Sequence, residues 1–262
     1  MKIVMIGDIT GQAGIDYLGE CLPQVIAEKN PDLIIANAEN AMSNGRGINR
    51  QVAEQLYDLG VEFLTMGNHV WDHKDAFTLL QEDQRIVRPA NMAASLPGRG
   101  HVYCKVHGQE VAIVNIIGRT YMNLSDCPFQ TMDHLLDEIS KRTPFIIVDF
   151  HAEVTSEKLA MGYYLDGKVS AVIGTHTHVQ TADEQILSGQ TAYLTDVGMT
   201  GPAQGILGVD KSLIIERFRY ATPVRFELAK GSRHFHAVYF ELDKAGRAVS
   251  IERIRYVEKD RK

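Results

Sequence analysis

The chain opens with an aliphatic, β-branched run at residues 2–7, and the apolar positions Leu18, Leu22, Val25 and Ile26 then recur as on one face of a helix over 15–29. A second apolar run at 32–38 leads to a helix predicted over 51–59, and a third run follows at 61–66. Strand, helix and strand repeating at this spacing predict βα units, in which helices cover a sheet. Further strands are predicted at 102–106 and 111–116, joined through the turn-forming pair His107 and Gly108, with a helix at 132–140 and strands at 145–148 and 169–173. From Arg225 to Val257 the pattern alternates, with a turn at 244–246, which predicts antiparallel strands and therefore mixed sheets. No Pro/Gly/Ser-rich linker, repeat or low-complexity tract interrupts residues 1–262, so a single domain is expected.

Composition narrows this picture. The 262 residues are 45% hydrophobic and 23% charged, the balance of a chain that buries a full core. With 27 Lys and Arg against 33 Asp and Glu, the net charge of −6 argues against a general duplex-DNA binder, which needs a basic surplus to displace phosphate counterions. No apolar run reaches the ~18 residues of a membrane span, and the short run at the start is too brief for a secretory signal core, so a cytoplasmic protein is expected. Cys21, Cys104 and Cys127 are odd in number, far apart and without a Cys-x-x-Cys pair, which suggests neither a disulfide framework nor a thiolate zinc site.

The 10 histidines carry more information through their positions. Asp8 follows the first predicted strand, Glu39 and Asn40 the second, and Asn68 and His69 the third; His151, then His176 and His178, follow later ones. The carboxyl ends of strands are where ligands bind in open α/β sheets, because side chains from successive loops converge there. Carboxylates, amides and imidazoles together suit Mn, Fe or Zn better than Ca, which prefers all-oxygen cages. The set Asp8, Glu39, Asn40, Asn68, His151, His176 and His178 exceeds the needs of one tetrahedral ion, whereas two ions sharing a bridging carboxylate would use it all. Two such ions, about 3.5–4 Å apart, suit in-line displacement at phosphorus, and their charge exceeds that of Asp8 and Glu39, leaving a net attraction for phosphate.

Taken singly, these residues have ordinary readings: Asp8 can cap a helix, and Asn40 can hold a turn. Agreement among successive loops is what favours a site. The spacing of His176 and His178 recurs at His234 and His236, but no acidic or amide block accompanies the second pair, which is expected to lie on a strand surface. His73, His101, His107 and His134 are read the same way, and the charges at 252–255 are read as a solvated strand face. Arg119 is equally suited to gripping a phosphate or to a surface salt bridge, and the Gly-rich stretch 196–202 to a pocket mouth or a plain turn.

Gly7-Asp8, Gly67-Asn68-His69 and Gly174-Thr175-His176-Thr177-His178 resemble the signature blocks of calcineurin-like metallophosphoesterases. Asn37-Ala38-Glu39-Asn40, Gly67-Asn68-His69-Val70-Trp71-Asp72, Asp149-Phe150-His151-Ala152-Glu153 and the segment 174–183 are similar to the bacterial YmdB-like branch. The chain departs from the wider superfamily in reading Asp8-Ile9-Thr10 where Asp-x-His is usual; the branch has Asn40 in place of that first histidine, and Glu39 stands where the bridging group is commonly Asp.

The resemblance implies an α/β fold, a four-layer α/β/β/α sandwich with mixed sheets. It also implies two divalent or mixed-valence ions, Fe or Mn first and Zn as the alternative. One ion would be held by Asp8, Glu39, Asn40 and His178, the other by Glu39, Asn68, His151 and His176, with His69 as the general acid. Imidazole, with an ordinary pKa near 6.5, is apt for that role, and Asp72 is spaced to orient it. The implied activity is phosphodiesterase action on cyclic nucleotides, particularly 2′,3′-cyclic nucleotides opened to 3′-nucleotides by metal-hydroxide attack, with a small-molecule substrate as partner. Two rivals remain: a phosphomonoesterase or protein phosphatase with the same metals, and a metal-dependent regulatory, RNA-interacting protein. The acidic balance and the lack of an aromatic, basic platform weigh against the second. Homo-oligomers are common among such enzymes, and no interface is legible in the sequence.

Overall fold

A computed structural model describes residues 1–259; the last residues of the expected domain, 260–262, lie outside it. In chain order the elements are β1 (Lys2–Ile6), β2 (Asp8–Ile9), α1 (Gly11–Lys29), β3 (Leu33–Asn37), α2 (Arg50–Asp58), β4 (Phe63–Thr65), α3 (Ala76–Glu82), β5 (Ile86–Val87), β6 (His101–Val106) and β7 (Gln109–Ile117). The second half adds α4 (Pro128–Arg142), β8 (Phe145–His151), α5 (Thr155–Leu165), β9 (Ala171–Thr175), β10 (Gln185–Ile186), β11 (Ala192–Leu194), β12 (Met199–Pro202), α6 (Lys211–Tyr220), β13 (Arg233–Leu242) and β14 (Ala248–Val257).

Two sheets result. The first has the order β2-β12-β13-β1-β3-β4-β5, with β14 paired to β13; β1, β3, β4 and β5 run parallel, while β13 lies antiparallel to β1. The second has the order β10-β11-β9-β8-β7-β6, a parallel centre with antiparallel edges. The period-2 alternation of a strand decides which core each residue joins. Val4 and Ile6 pack with Leu18 and Leu22 of α1, whereas Ile3 and Met5 turn the other way and meet Ile113, Ile147 and Ile173 of the second sheet. On the far side of that sheet, Val114, Ile146 and Val148 pack against Met132 and Ile139 of α4 and Met161 and Leu165 of α5. Helix, sheet, sheet, helix is the four-layer α/β/β/α sandwich with mixed sheets expected from the sequence. Phe240, fully buried between the sheets, is the kind of side chain whose truncation costs about 3–5 kcal/mol.

Several elements differ from expectation. Residues 221–232 form no strand; the stretch touches ordered structure through the isolated bridge Val209↔Leu228, and the antiparallel pair begins only at Arg233. Pro223 and Gly231 bound the segment, and alternation without a neighbouring strand to pair with does not make a strand. The Gly-rich stretch is not a plain turn: its second half is β12, pairing with β2 through Met199↔Asp8 and with β13 through Gly201↔His234. Gly7 permits this, since a Cβ there would lie 2.1 Å from the Gly198 carbonyl oxygen. Asp8 is thus fixed from both sides at the end of β1. Helices α3, α5 and α6 are additions to the elements expected from the sequence pattern. Among the described residues, no helix is long and apolar enough to cross a membrane.

Candidate metal centre and active site

Each residue singled out in the sequence sits at or just beyond the carboxyl end of a strand. Asp8 begins β2 directly after β1, Glu39 and Asn40 follow β3, Asn68 and His69 follow β4, His151 ends β8, and His176 and His178 follow β9. The carboxyl ends of both sheets therefore contribute to one place. Asp8, Glu39, Asn40 and His151 are buried, while Asn68, His69, His176 and His178 are half-buried along its mouth.

The contacts are close. His151 Nε2 lies 3.0 Å from Glu39 Oε1, 3.1 Å from Asn68 Oδ1 and 3.0 Å from His176 Nδ1. A ring nitrogen carries at most one hydrogen, so it cannot satisfy these neighbours together by donating to them. Converging lone pairs of this kind are what a cation needs, and Glu39, His151 and His176 present ligand atoms all within 4.8 Å of one another. Nearby, Asp8 Oδ1 is buried without a hydrogen-bond partner, Asp8 Oδ2 accepts from the His176 main-chain N–H at 3.2 Å, and Asn40 Oδ1 lies 3.3 Å from His178 Nε2. Gly67 makes room for the cluster, because a Cβ there would stand 2.3 Å from His151 Nε2 and 2.4 Å from Glu39 Oε2. The donor set thus fits divalent ions of the Fe, Mn or Zn kind.

Electrostatics points the same way. Burial pushes the Asp8 carboxyl well above the ordinary range, and Asp196, Glu39 and Asp149 add to this while His151 opposes it. Burial would also raise Glu39 and depress His151, but their mutual attraction outweighs it, holding the Glu39 carboxyl low and the His151 imidazole high. His176 is pushed down to about 3 by burial and by the charge on His151, and burial also lowers His178. Without a cation, the cluster places a proton on His151 to balance its carboxylates; a metal ion would take over that role and release the proton.

His69 stands at the rim. Its main-chain N–H donates to Glu39 Oε2 at 2.8 Å, and its Nδ1 lies 2.8 Å from Asp72 Oδ2, the geometry in which Nδ1–H donates to the carboxylate and Nε2 is left for chemistry. The Asp72 partnership is the one its spacing suggested. A cavity of about 420 Å³ opens beside Asn40, His69 and His178. Arg119 is exposed, and its main-chain N–H donates to Glu157.

The supporting layer was largely missed in the sequence. His151 Nδ1 meets Thr175 Oγ1 at 2.8 Å; that hydroxyl donates to Asp149 Oδ1 at 2.7 Å, and Asn37 donates to Asp149 Oδ2 at 3.1 Å. Glu153 Oε2 lies 3.0 Å from His176 Nε2. Lys158 and Asp196 form a fully buried ion pair at 2.6 Å; Lys158 also donates to the Thr175 carbonyl, while Asp196 accepts from the main-chain N–H groups of Thr177 and Gly198. This pair pins the loop that carries His176 and His178. Asn37 and Asp149 fall inside blocks already quoted, so their signal lay in the motif; Lys158 sits on a helix with no pattern to mark it.

The model of the YmdB-like protein family matches residues 4–254. The chain belongs to the YmdB-like family. A 2′,3′-cyclic-nucleotide 2′-phosphodiesterase of Bacillus subtilis is 48% identical, over 97% of this chain and 96% of that protein. Among solved structures, a hypothetical protein from Thermus thermophilus has a TM-score of 0.93 at 39% identity, covering 99% of this chain and 100% of that one. One described as a novel phosphatase from Mycoplasma pneumoniae has a TM-score of 0.94 at 33% identity, covering 100% and 95%. The resemblance read from the signature blocks is borne out, and this YmdB-like chain is an enzyme of the phosphoesterase class.

Proposed function

We propose that the chain is a dimetal phosphodiesterase that opens 2′,3′-cyclic nucleotides to 3′-nucleotides, with residues 1–262 acting as one domain. The observation that carries the reading is the convergence of Glu39, Asn68 and His176 on His151 Nε2, beside a His69–Asp72 pair at the mouth of a cavity. The activity named for the Bacillus subtilis relative supports the choice of substrate. Asp8, Glu39, Asn40 and His178 would hold one ion, and Glu39, Asn68, His151 and His176 the other, with Glu39 shared. When bound, such a pair supplies the activated water and neutralises charge developing on phosphorus.

The remaining steps belong to the protein's own side chains. Asp72 holds the His69 ring through Nδ1, which directs Nε2 toward the cavity as the proton-bearing atom. As an oxygen from water joins phosphorus and the bond to O2′ breaks, His69 Nε2 gives its proton to O2′; one proton of the water stays on the new phosphate group and the other passes to solvent, from which His69 is reprotonated, leaving a 3′-phosphomonoester. Thr175 and Asp149 keep His151 in one orientation throughout.

The experiment is a rate comparison on metal-loaded protein using 2′,3′-cyclic, 3′,5′-cyclic and linear diesters together with their matching monoesters. The expected result is a preference for 2′,3′-cyclic diesters. Faster turnover of the monoesters would turn the reading to a phosphomonoesterase, in line with the word phosphatase in the description of the Mycoplasma pneumoniae structure. Inertness toward every ester would favour a binding protein.

A further inference from the structure

The cavity beside the candidate metal centre is lined by two unlike sets of residues. One is polar and includes Asn40, His69 and His178. The other is aromatic, Phe218 of α6 and Phe226 of the strandless stretch after it, accompanied by Arg217 and by Leu207, whose carbonyl lies 3.1 Å from His178 Nδ1. Core packing does not explain the aromatic set. Of α6, Ile214 is the residue counted as buried, and Phe218 is 84% exposed. The Arg217 guanidinium lies over one face of the Phe226 ring, 5.1 Å from its centroid. Aromatic side chains lining a cavity beside candidate catalytic groups, one of them largely exposed, mark a ligand site.

Resting on the phosphodiesterase reading, the geometry points to this aromatic set as the nucleobase subsite: Phe218 and Phe226 stack the base of a nucleotide whose phosphate lies toward His69 and His178. A 2′,3′-cyclic phosphate held at the polar set has to send its sugar and base out into the remaining cavity. A volume of about 420 Å³ accommodates a group of that size. Bases offer flat π-faces, and aromatic side chains grip them by stacking, worth about 5- to 150-fold in affinity per base. The strandless stretch 221–232 thus has a use: it carries Phe226 to the site from outside the two sheets.

The test compares 2′,3′-cyclic AMP with 1-O-methylribose 2′,3′-cyclic phosphate, the same diester without its base, on metal-loaded wild-type, Phe218→Ala, Phe226→Ala and Phe218→Tyr proteins. Calorimetry of 3′-AMP against ribose 3-phosphate gives a second readout that needs no turnover. The wild type is expected to favour the base-bearing member of each pair by about 5- to 150-fold. Either alanine variant should erase most of that preference, and Phe218→Tyr, which keeps a ring, should retain it. Equal handling of both members by the wild type, or a preference unchanged by the alanine variants, overturns the subsite. A preference unchanged by Phe218→Ala together with a drop in molecular mass by sedimentation overturns it in favour of a second copy covering α6. If neither diester turns over but 3′-AMP still binds better than ribose 3-phosphate in a Phe218-dependent way, the subsite stands and the phosphodiesterase reading falls.

Discussion

Two His-x-His pairs lie in this chain, and they have become different things. His176 and His178 follow β9 in a loop with left-handed backbone, φ +100° and +64°, a conformation that costs residues other than Gly about 1–3 kcal/mol each. His234 and His236 sit in extended backbone within β13. Carboxylate and amide oxygens surround the first pair, those of Glu153, Asp8 and Asn40. The second pair stacks ring on ring at 4.1 Å beside Arg253 and Arg255, and neither imidazole of the pair is in an ion pair with a carboxylate among the described residues. The expectation of a strand surface fails for His236, which is 5% exposed with both ring nitrogens unpartnered. Even-numbered residues of β13 face the second sheet, and the apolar series Leu242, Phe240, Val238 continues into His236 as the strand nears the site. Spacing alone therefore does not make a candidate metal site: what sets the first pair apart is the oxygen donors at strand ends and the strained loop that holds it. The pairs meet across a cavity of about 380 Å³ lined by His178, His234 and His236, which makes the contrast open to experiment.

The sharpest break is removal of a ring from each pair. His176→Ala should lose bound metal and reduce turnover on the order of 10³-fold or more, whereas His236→Ala should hold turnover within about 3-fold, both read by elemental analysis and steady-state rates. Comparable losses in the two variants would dissolve the distinction. Next comes His69→Ala, expected to lower turnover about 10²- to 10⁴-fold while leaving metal content intact. Loss of metal there would make His69 a ligand instead. Asp149→Asn, which loosens the Thr175–His151 contact, should weaken metal affinity about 10- to 100-fold in a competition titration with a chelator.

The smallest effect concerns pH and the second pair. Burial, followed by like charge from Arg255 and His178, lowers His234 to about 4, and burial, His234 and the arginines lower His236 to about 3, against an ordinary 6.5. Between those values and 6.5 the unfolded chain binds protons that the folded one refuses, so stability rises with pH and is lost as pH falls below about 6.5. Each such proton contributes a slope of about 1.4 kcal/mol per pH unit. Denaturant unfolding of His236→Val between pH 4 and 7 should show a shallower slope than the wild type. An unchanged slope would mean that His236 keeps its proton in the fold.

Much of this was legible because the signals were local. β1, β3, β8 and β9 were visible as apolar runs, and the polar residues ending them announced the site directly. His69 and Asp72 were readable as a pair from their spacing. What escaped depended on partners distant in the chain. Met199-Thr200-Gly201-Pro202 looks like a turn until β2 and β13 are beside it, and Arg225 to Leu228 looks like a strand, yet what it meets is the isolated bridge to Val209 and not a strand. Lys158 is a buried cation only because Asp196 arrives from 38 residues away. Phe218 stands on a helix with little apolar pattern, so nothing in its neighbours indicated a residue lining the cavity.

The central claim is that Glu39 joins two ions through the cluster on His151. Elemental analysis of purified wild-type and Glu39→Gln proteins tests it most directly. The account predicts about two Fe, Mn or Zn atoms per wild-type chain and a loss of both in the variant, since the shared ligand serves each ion. Wild-type stoichiometry retained by Glu39→Gln, or full diesterase activity in protein stripped of metal, would contradict it.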